Sequence, residues 1–233
     1  MFYNILDKKR LDVLPLLDSF KKDFYLAGGT SLALQIGHRD SIDFDFFSEK
    51  DINTKKLFER LRDVFKGHAL LKIQEESNTL TVLIDDTIKI SFFTYKYDLV
   101  GKTIKDENLT LASIEDIGCM KLSAITGRAT NKDYIDLYFI LKKIPLRDLL
   151  MKAHEKYPEL ERNLILKSLV YFEDITSEKI LFKNKCDIQF EEVKDKLKSE
   201  VKKLESRGAH CGIRSFACAK RLNNKAQRIL RVL

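Results

Sequence analysis

Apolar positions in the first half of the chain fall into short runs and alternating stretches. Phe24-Tyr25-Leu26-Ala27 is an apolar run that ends in Gly28-Gly29, the pattern of a buried strand stopped by a tight turn. Leu32, Ala33, Leu34 and Ile36 then mark the apolar face of a helix, with Thr30 or Ser31 placed to cap it. Residues 41–47 alternate polar and apolar, which predicts a strand with Ile42, Phe44 and Phe46 in the core. Residues two apart in a strand share a face, so Asp43 and Asp45 would stand side by side on the other one. Upstream, Ile5, Leu6, Leu11, Leu14, Leu17 and Phe20 suit a helix over residues 4–20, with Pro15 as a kink or break. Downstream, Asn53-Thr54 caps a helix that runs through Phe65. Residues 70–75, 79–84 and 87–95 read as strands, with Asp85-Asp86 turning a hairpin between the last two, and residues 103–111 hold one more short strand.

From Ser113 the pattern becomes helical. Ser113-Ile114-Glu115-Asp116 reads as an N-terminal cap with acids in the first turn, and Gly127-Arg128 ends that helix. Asn131 is expected to cap a helix over 133–143 that stops before Pro145. Residues 147–157, 160–172 and 190–204 continue the helical region. The stripe Tyr134, Leu137, Tyr138, Ile140, Leu141 reads as core rather than as a base-stacking platform. The run 191–205 reads as a solvated helix laced with ion pairs one turn apart.

This order predicts an α+β fold: a mixed β-sheet core with flanking helices, followed by a C-terminal helical bundle. The expected domains are 1–110 for the core, 111–205 for the bundle and 206–233 for a basic tail. A ligand site in the cleft between core and bundle is the expectation.

Composition narrows the picture in three ways. The 233 residues, 44% of them hydrophobic, suffice for one large core or two modest ones. No apolar run approaches the ~18 residues of a membrane span, and no leader pattern follows Met1, so a cytoplasmic protein with no membrane partner is expected. Cys119, Cys186, Cys211 and Cys218 then read as free thiols. The net charge of +7 is carried by the tail: Arg207, Arg214, Lys220, Arg221, Lys225, Arg228 and Arg231 have no acidic neighbour after Ser206, and without them basic and acidic residues balance. The overall charge is therefore no argument that the body grips RNA. The tail itself reads as an RNA-contacting arm, or as a poorly ordered or non-native extension. His210, Cys211 and Cys218 are too few and too poorly spaced for a metal site.

The candidate chemistry sits in residues 27–47. Glycines before a helix let a phosphate approach unpaired backbone N–H groups at the positive end of the helix dipole. Adjacent aspartates repel one another, and a divalent cation removes that conflict; magnesium is held by one or two carboxylates plus substrate phosphates. An edge strand with a solvated acidic face is the alternative.

Two blocks carry a family resemblance. The first is Gly28-Gly29-Thr30-Ser31-Leu32-Ala33-Leu34 followed by His38-Arg39, Ser41, Asp43, Asp45 and Phe47. The second is Lys121-Leu122, Ala124-Ile125, Arg128, Lys132-Asp133 and Asp136-Leu137. Together they resemble the AbiEii/AbiGii-type nucleotidyltransferases of the DNA-polymerase-beta-like superfamily, many of them toxins of type IV toxin–antitoxin or abortive-infection systems. The resemblance implies transfer of NMP from an NTP to an acceptor hydroxyl, with RNA or tRNA as acceptor, an antitoxin partner, and Mg²⁺ or Mn²⁺ as cofactor. It implies that Gly28, Gly29, Thr30 and Ser31 cradle the triphosphate and that Asp43 and Asp45 bind the metal. It also implies that Lys121 neutralises phosphate charge, that Asp136 is the late functional aspartate, and that Arg39 and Arg128 support the nucleotide. One position departs from the superfamily pattern: Ser91 stands where a third carboxylate is expected, which removes a candidate general base. A nucleotide-binding protein without turnover and a small-molecule (antibiotic-type) nucleotidyltransferase remain alternatives. Asp85 and Asp86 are turn residues in this reading, not replacements for that carboxylate.

Overall fold

Alternation along the chain is realised as a sheet in a computed structural model that describes residues 1–208; the basic tail and its His210, Cys211 and Cys218 lie outside the described residues. The chain divides into two compact units, residues 1–117 with 181–186, and residues 118–180 with 187 onward. None of its described helices is long and apolar enough to cross a membrane.

The first unit is built on strands β1 (Tyr25–Ala27), β2 (Phe44–Ser48), β3 (Leu70–Glu76), β4 (Thr79–Ile84), β5 (Ile88–Thr94), β6 (Ile104–Lys105) and β7 (Thr110–Leu111). Among the described residues they form one mixed sheet in the order β3-β4-β5-β2-β1-β7-β6. β2 runs antiparallel to β1 and parallel to β5, so the strand that carries Asp45 is central and paired on both sides. Leu26, Phe44, Phe46, Leu80, Val82, Ile90 and Phe92 are fully buried and fill one face. There the Phe92 ring contacts those of Phe20, Phe24 and Phe46. Each such side chain removed from water contributes about 1.5–3 kcal/mol, so this aromatic layer anchors the sheet.

The hairpin between β4 and β5 turns at Asp85 and Asp86, both at positive φ (47° and 55°), the backbone that two-residue hairpin turns favour. Asp85 also accepts hydrogen bonds from the Ala69 N–H and pairs with His68 Nδ1. α3 (Thr54–Val64) starts where expected, with the Asn53 side chain accepting from Lys56 N–H.

Three local expectations are corrected. The segment 4–20 is not one kinked helix. It comprises a 3₁₀ turn, α1 (Lys8–Val13) capped by Asp7, and a second 3₁₀ stretch, Leu14–Phe20, with Pro15 at its start; proline is accepted at a first turn and disrupts a helix interior. Ile42 is 51% exposed rather than buried, because β2 begins only at Phe44. The region 103–111 forms two short strands rather than one.

α4 (Ile114–Gly127) begins on a cap that the sequence foretold. Ser113 Oγ accepts from Asp116 N–H, while the buried Asp116 carboxylate accepts from Ser113 Oγ and from the Val100 and Gly101 N–H groups. The second unit adds α5 (Asn131–Ile140), α6 (Leu146–Lys156), α7 (Arg162–Val170) and α8 (Phe190–Gly208). Asn131 does not cap α5. Thr130 is the cap residue, and the Asn131 amide exchanges hydrogen bonds with the Glu178 backbone instead. Tyr134, Leu137 and Ile140 are core, as the stripe implied. α8 buries Val193, Leu197 and Val201, and its exposed side carries the Lys194–Glu191, Lys196–Glu200 and Lys203–Glu200 pairs.

Candidate active site

The acidic pair is placed by the sheet and by the helix next to it. Asp45 is the cross-strand partner of Ala27 on one side and of Ser91 on the other, and Ser91 in turn faces Thr81. This row lies on the face opposite Phe44 and Phe46, because alternate residues point to opposite sides. Asp43 belongs to the same face, one residue before the first register pair of β2, Phe44↔Ile90. Both aspartates are partly exposed, so the two carboxylates are accessible.

α2 (Gly28–Ile36) starts directly after β1. Gly28 has φ +70°, a backbone that residues with side chains rarely adopt, so the turn into the helix beside Asp45 calls for glycine; a Cβ there would meet Asp45 Oδ2 at 3.5 Å, an ordinary contact. The cap residue is Ala27, with no side-chain cap, which corrects the assignment of that role to Thr30 or Ser31. The N–H groups of the first turn are thus left to another acceptor.

Thr30 instead donates its hydroxyl to the Asp43 carbonyl oxygen and lies 2.7 Å from Ser41 Oγ. Ser31 is fully buried and accepts from Gln35 Nε2, so its backbone rather than its hydroxyl is suited to an anion. The buried Arg39 guanidinium rests against Gly29, where a Cβ would collide with Nη2, and Nη1 donates to the Asp40 carbonyl. A glycine at 29 therefore brings a fixed positive charge to the helix start.

Lys89 was not foreseen as part of this site. Its Nζ donates to Asp43 Oδ2 at 2.9 Å, and while partial burial works against its charge, that hydrogen bond to Asp43 and the charges of Asp43 and Asp45 hold its pKa above the usual lysine range. The signal was present in the alternation of β5, which sets Lys89 on the same face as Ser91. Ser91 is buried, and its Oγ accepts from Thr81 Oγ1 at 3.3 Å. No carboxylate stands at that place in the row.

Among the described residues no three His, Cys, Asp or Glu side chains cluster to hold a metal ion. The donor set of the first unit is two carboxylates beside a helix start, and Lys89 shows that one of them already takes a cation partner. Hard oxygen donors of this number fit Mg²⁺ or Mn²⁺, which complete their shell with phosphate oxygens and water.

The second unit gathers the other motif block. Lys121 Nζ on α4 lies 2.7 Å from both Asp133 Oδ1 and Asp136 Oδ2, one turn apart on α5. All three are buried. Thr130 Oγ1 donates to Asp133 Oδ2, and Arg128 Nε is 3.5 Å from the same oxygen. Burial alone would raise the Asp133 pKa; the Lys121 and Arg128 charges, with hydrogen bonds from Lys121 and Thr130, hold it below the ordinary carboxylate value. Lys121 is thus locked between carboxylates, while Arg128 is half exposed.

A sheet of this order with an acidic pair beside a glycine-opened helix is the architecture of a nucleotidyltransferase. The family model for the AbiEii nucleotidyl transferase toxin of type IV toxin–antitoxin systems matches residues 16–207, and the chain belongs to that family. An uncharacterized protein of Aquifex aeolicus (strain VF5) is 39% identical over 186 residues, which span 77% of this chain and 87% of the relative. In fold the chain is similar to the nucleotidyltransferase toxin MenT4 of Mycobacterium tuberculosis H37Rv (TM-score 0.57, 16% identity, 96% of this chain and 91% of that one). It is similar also to JHP933 of Helicobacter pylori (TM-score 0.55, 19% identity, 87% of this chain and 94% of that one).

Proposed function

We propose that this nucleotidyltransferase transfers NMP from an NTP to the hydroxyl of an RNA, with tRNA the leading candidate, and does so with Mg²⁺ or Mn²⁺ in a cytoplasmic toxin restrained by a cognate antitoxin. The observation that carries the reading is the pairing of Asp43 and Asp45 on one sheet face beside the uncapped start of α2.

Asp43 and Asp45 would hold the cation. When bound, such a cation would supply positive charge that stabilises the charge developing on the leaving pyrophosphate. The first-turn N–H groups at Gly29, Thr30 and Ser31 orient the triphosphate, and Gly28 keeps that backbone within reach. Arg39 adds charge at the same helix start. The acceptor oxygen bonds to the α-phosphorus as the bond to pyrophosphate breaks, and the hydroxyl proton passes to solvent water. Ser91, un-ionised at neutral pH, is no base for that proton. The reading therefore places the rate enhancement in positioning and electrostatics. Lys121, Asp136 and Arg128 enter it as functional residues on their motif, with Asp133 holding Lys121 in place.

The test is incubation with each α-labelled NTP, Mg²⁺ and total bacterial RNA. Label on RNA that disappears in Asp43→Ala and Asp45→Ala but persists in the surface control Asp51→Ala is the expected result. Equal labelling by all three variants would sink the reading, and label on an aminoglycoside panel instead of RNA would replace the acceptor.

A further inference from the structure

Asp43 and Asp45 are held in different ways. Asp45 lies within the sheet and is paired on both sides, whereas Asp43 precedes the first residue of β2 and has no ladder partner in either neighbouring strand. A metal-binding carboxylate needs a fixed backbone, and here two side chains fix it. Thr30 binds the Asp43 carbonyl. The second is Arg10.

Arg10 lies on α1 and is only 4% exposed. Its Nε donates to the Ile42 carbonyl at 2.6 Å, its Nη2 donates to the Thr87 carbonyl at 2.7 Å, and its Nη1 pairs with Asp7. The Ile42 carbonyl belongs to the peptide plane that carries the Asp43 nitrogen. The Thr87 carbonyl belongs to the plane entering β5, two residues before Lys89. One planar guanidinium thus ties the entries of the two parallel strands that deliver Asp43 and Lys89. Its fixed fork of donors suits this bridging, whereas a lysine ammonium could not span both carbonyls in the same geometry.

We infer that Arg10 is a positioning residue for the metal-binding carboxylate Asp43: it replaces the missing ladder at the start of β2 and sets the separation of Asp43 from β5. This inference rests on the assignment of Asp43 and Asp45 as the cation pair. Arg10 precedes the family-matched residues, so no motif pointed to it.

The experiment uses the full chain with Arg10→Gln, Arg10→Lys, Asp43→Asn and Leu17→Ala, the last a buried core truncation that serves as a stability control. Mn²⁺ binding to the nucleotide-free protein is read by electron paramagnetic resonance, and amide exchange of residues 41–43 is read without metal, both well below each variant's melting temperature. Arg10→Gln is expected to weaken Mn²⁺ binding by on the order of tenfold or more, since loss of a group that orients metal ligands from the outer shell costs about 10–100-fold in affinity, and to speed exchange at 41–43. Arg10→Lys should restore little of either, and Leu17→Ala should lower the melting temperature with Mn²⁺ affinity unchanged. If Arg10→Gln lowers only the melting temperature, as Leu17→Ala does, or if Arg10→Lys restores full affinity, the positioning role is overturned. Should Arg10→Gln fail to fold, the Arg10→Lys result decides alone. Unchanged Mn²⁺ affinity in Asp43→Asn would instead overturn the cation pair itself, whatever Arg10 does.

Discussion

The Lys89 ammonium lies 2.9 Å from Asp43 Oδ2, one of the two carboxylates proposed to hold the cation. Both side chains are about two-fifths exposed, so water and salt screen the pair and its strength is that of a surface contact, about 0.2–1 kcal/mol. A divalent cation at the proposed site would meet that ammonium as a like charge and compete with it for Asp43.

Lys89→Gln should therefore tighten Mn²⁺ binding to the nucleotide-free protein, by up to about fivefold, the factor that corresponds to the pair's screened strength. Isothermal titration at low ionic strength measures it, and the gain should shrink as salt is raised. Weaker binding in this variant would mean that Lys89 supports the cation site rather than competing for it.

The buried group Lys121, Asp133 and Asp136 makes an opposite kind of contact. Removing one partner of a buried pair leaves uncompensated charge, at a cost of about 3–5 kcal/mol. Lys121→Met should lower unfolding free energy by that order, and its loss of activity would not by itself reveal a functional role. The triple variant Lys121→Met/Asp133→Asn/Asp136→Asn removes the charges together and should recover much of the stability in a urea titration. Transfer activity that returns with stability would make the cluster a fold element only; activity that stays lost would mark these side chains as functional.

Stability should also carry the signature of Asp133 in acid. Its folded pKa is depressed, so its contribution is complete above the unfolded carboxylate value near 4 and is lost as pH falls through the folded pKa. Asp133→Asn removes that proton uptake. Urea unfolding from pH 7 down to pH 3 should show a shallower acid decline for the variant than for the parent chain below about pH 4. Parallel curves would show that the carboxyl is not held below its ordinary value.

Much of this site could be read from the chain because its determinants are local. The period-two alternation gave the shared face of Asp43 and Asp45, Asn53 and Ser113 announced their helices, and Asp85-Asp86 announced the hairpin. What escaped was decided by contacts distant in sequence. Thr30 looked like a helix cap, but the fold brings it to the Asp43 carbonyl, thirteen residues on. Ile42 looked like a core residue because alternation cannot tell where a strand begins. Arg10 carries no motif at all; its meaning depends on Thr87, which lies 77 residues away.

Ser91 offers the sharpest chemical question, because it is the residue across the sheet from Asp45, where the family resemblance implies a third carboxylate. Ser91→Asp would put two carboxylates side by side in this row, and like charges in directly paired positions destabilise a sheet. Without metal the variant should melt below the parent protein. A divalent cation that binds this row relieves the repulsion, and binding to the folded state alone raises stability in proportion to RT ln(1 + [L]/Kd). Added Mg²⁺ should therefore raise the melting temperature of Ser91→Asp by more than that of the parent protein. Ser91→Asn, similar in size but neutral, should show no such extra gain, which separates charge from packing. If Mg²⁺ raises the melting temperatures of Ser91→Asp and the parent protein equally, the cation does not sit against this part of the row, and Asp43 with its side of the sheet becomes the place to look.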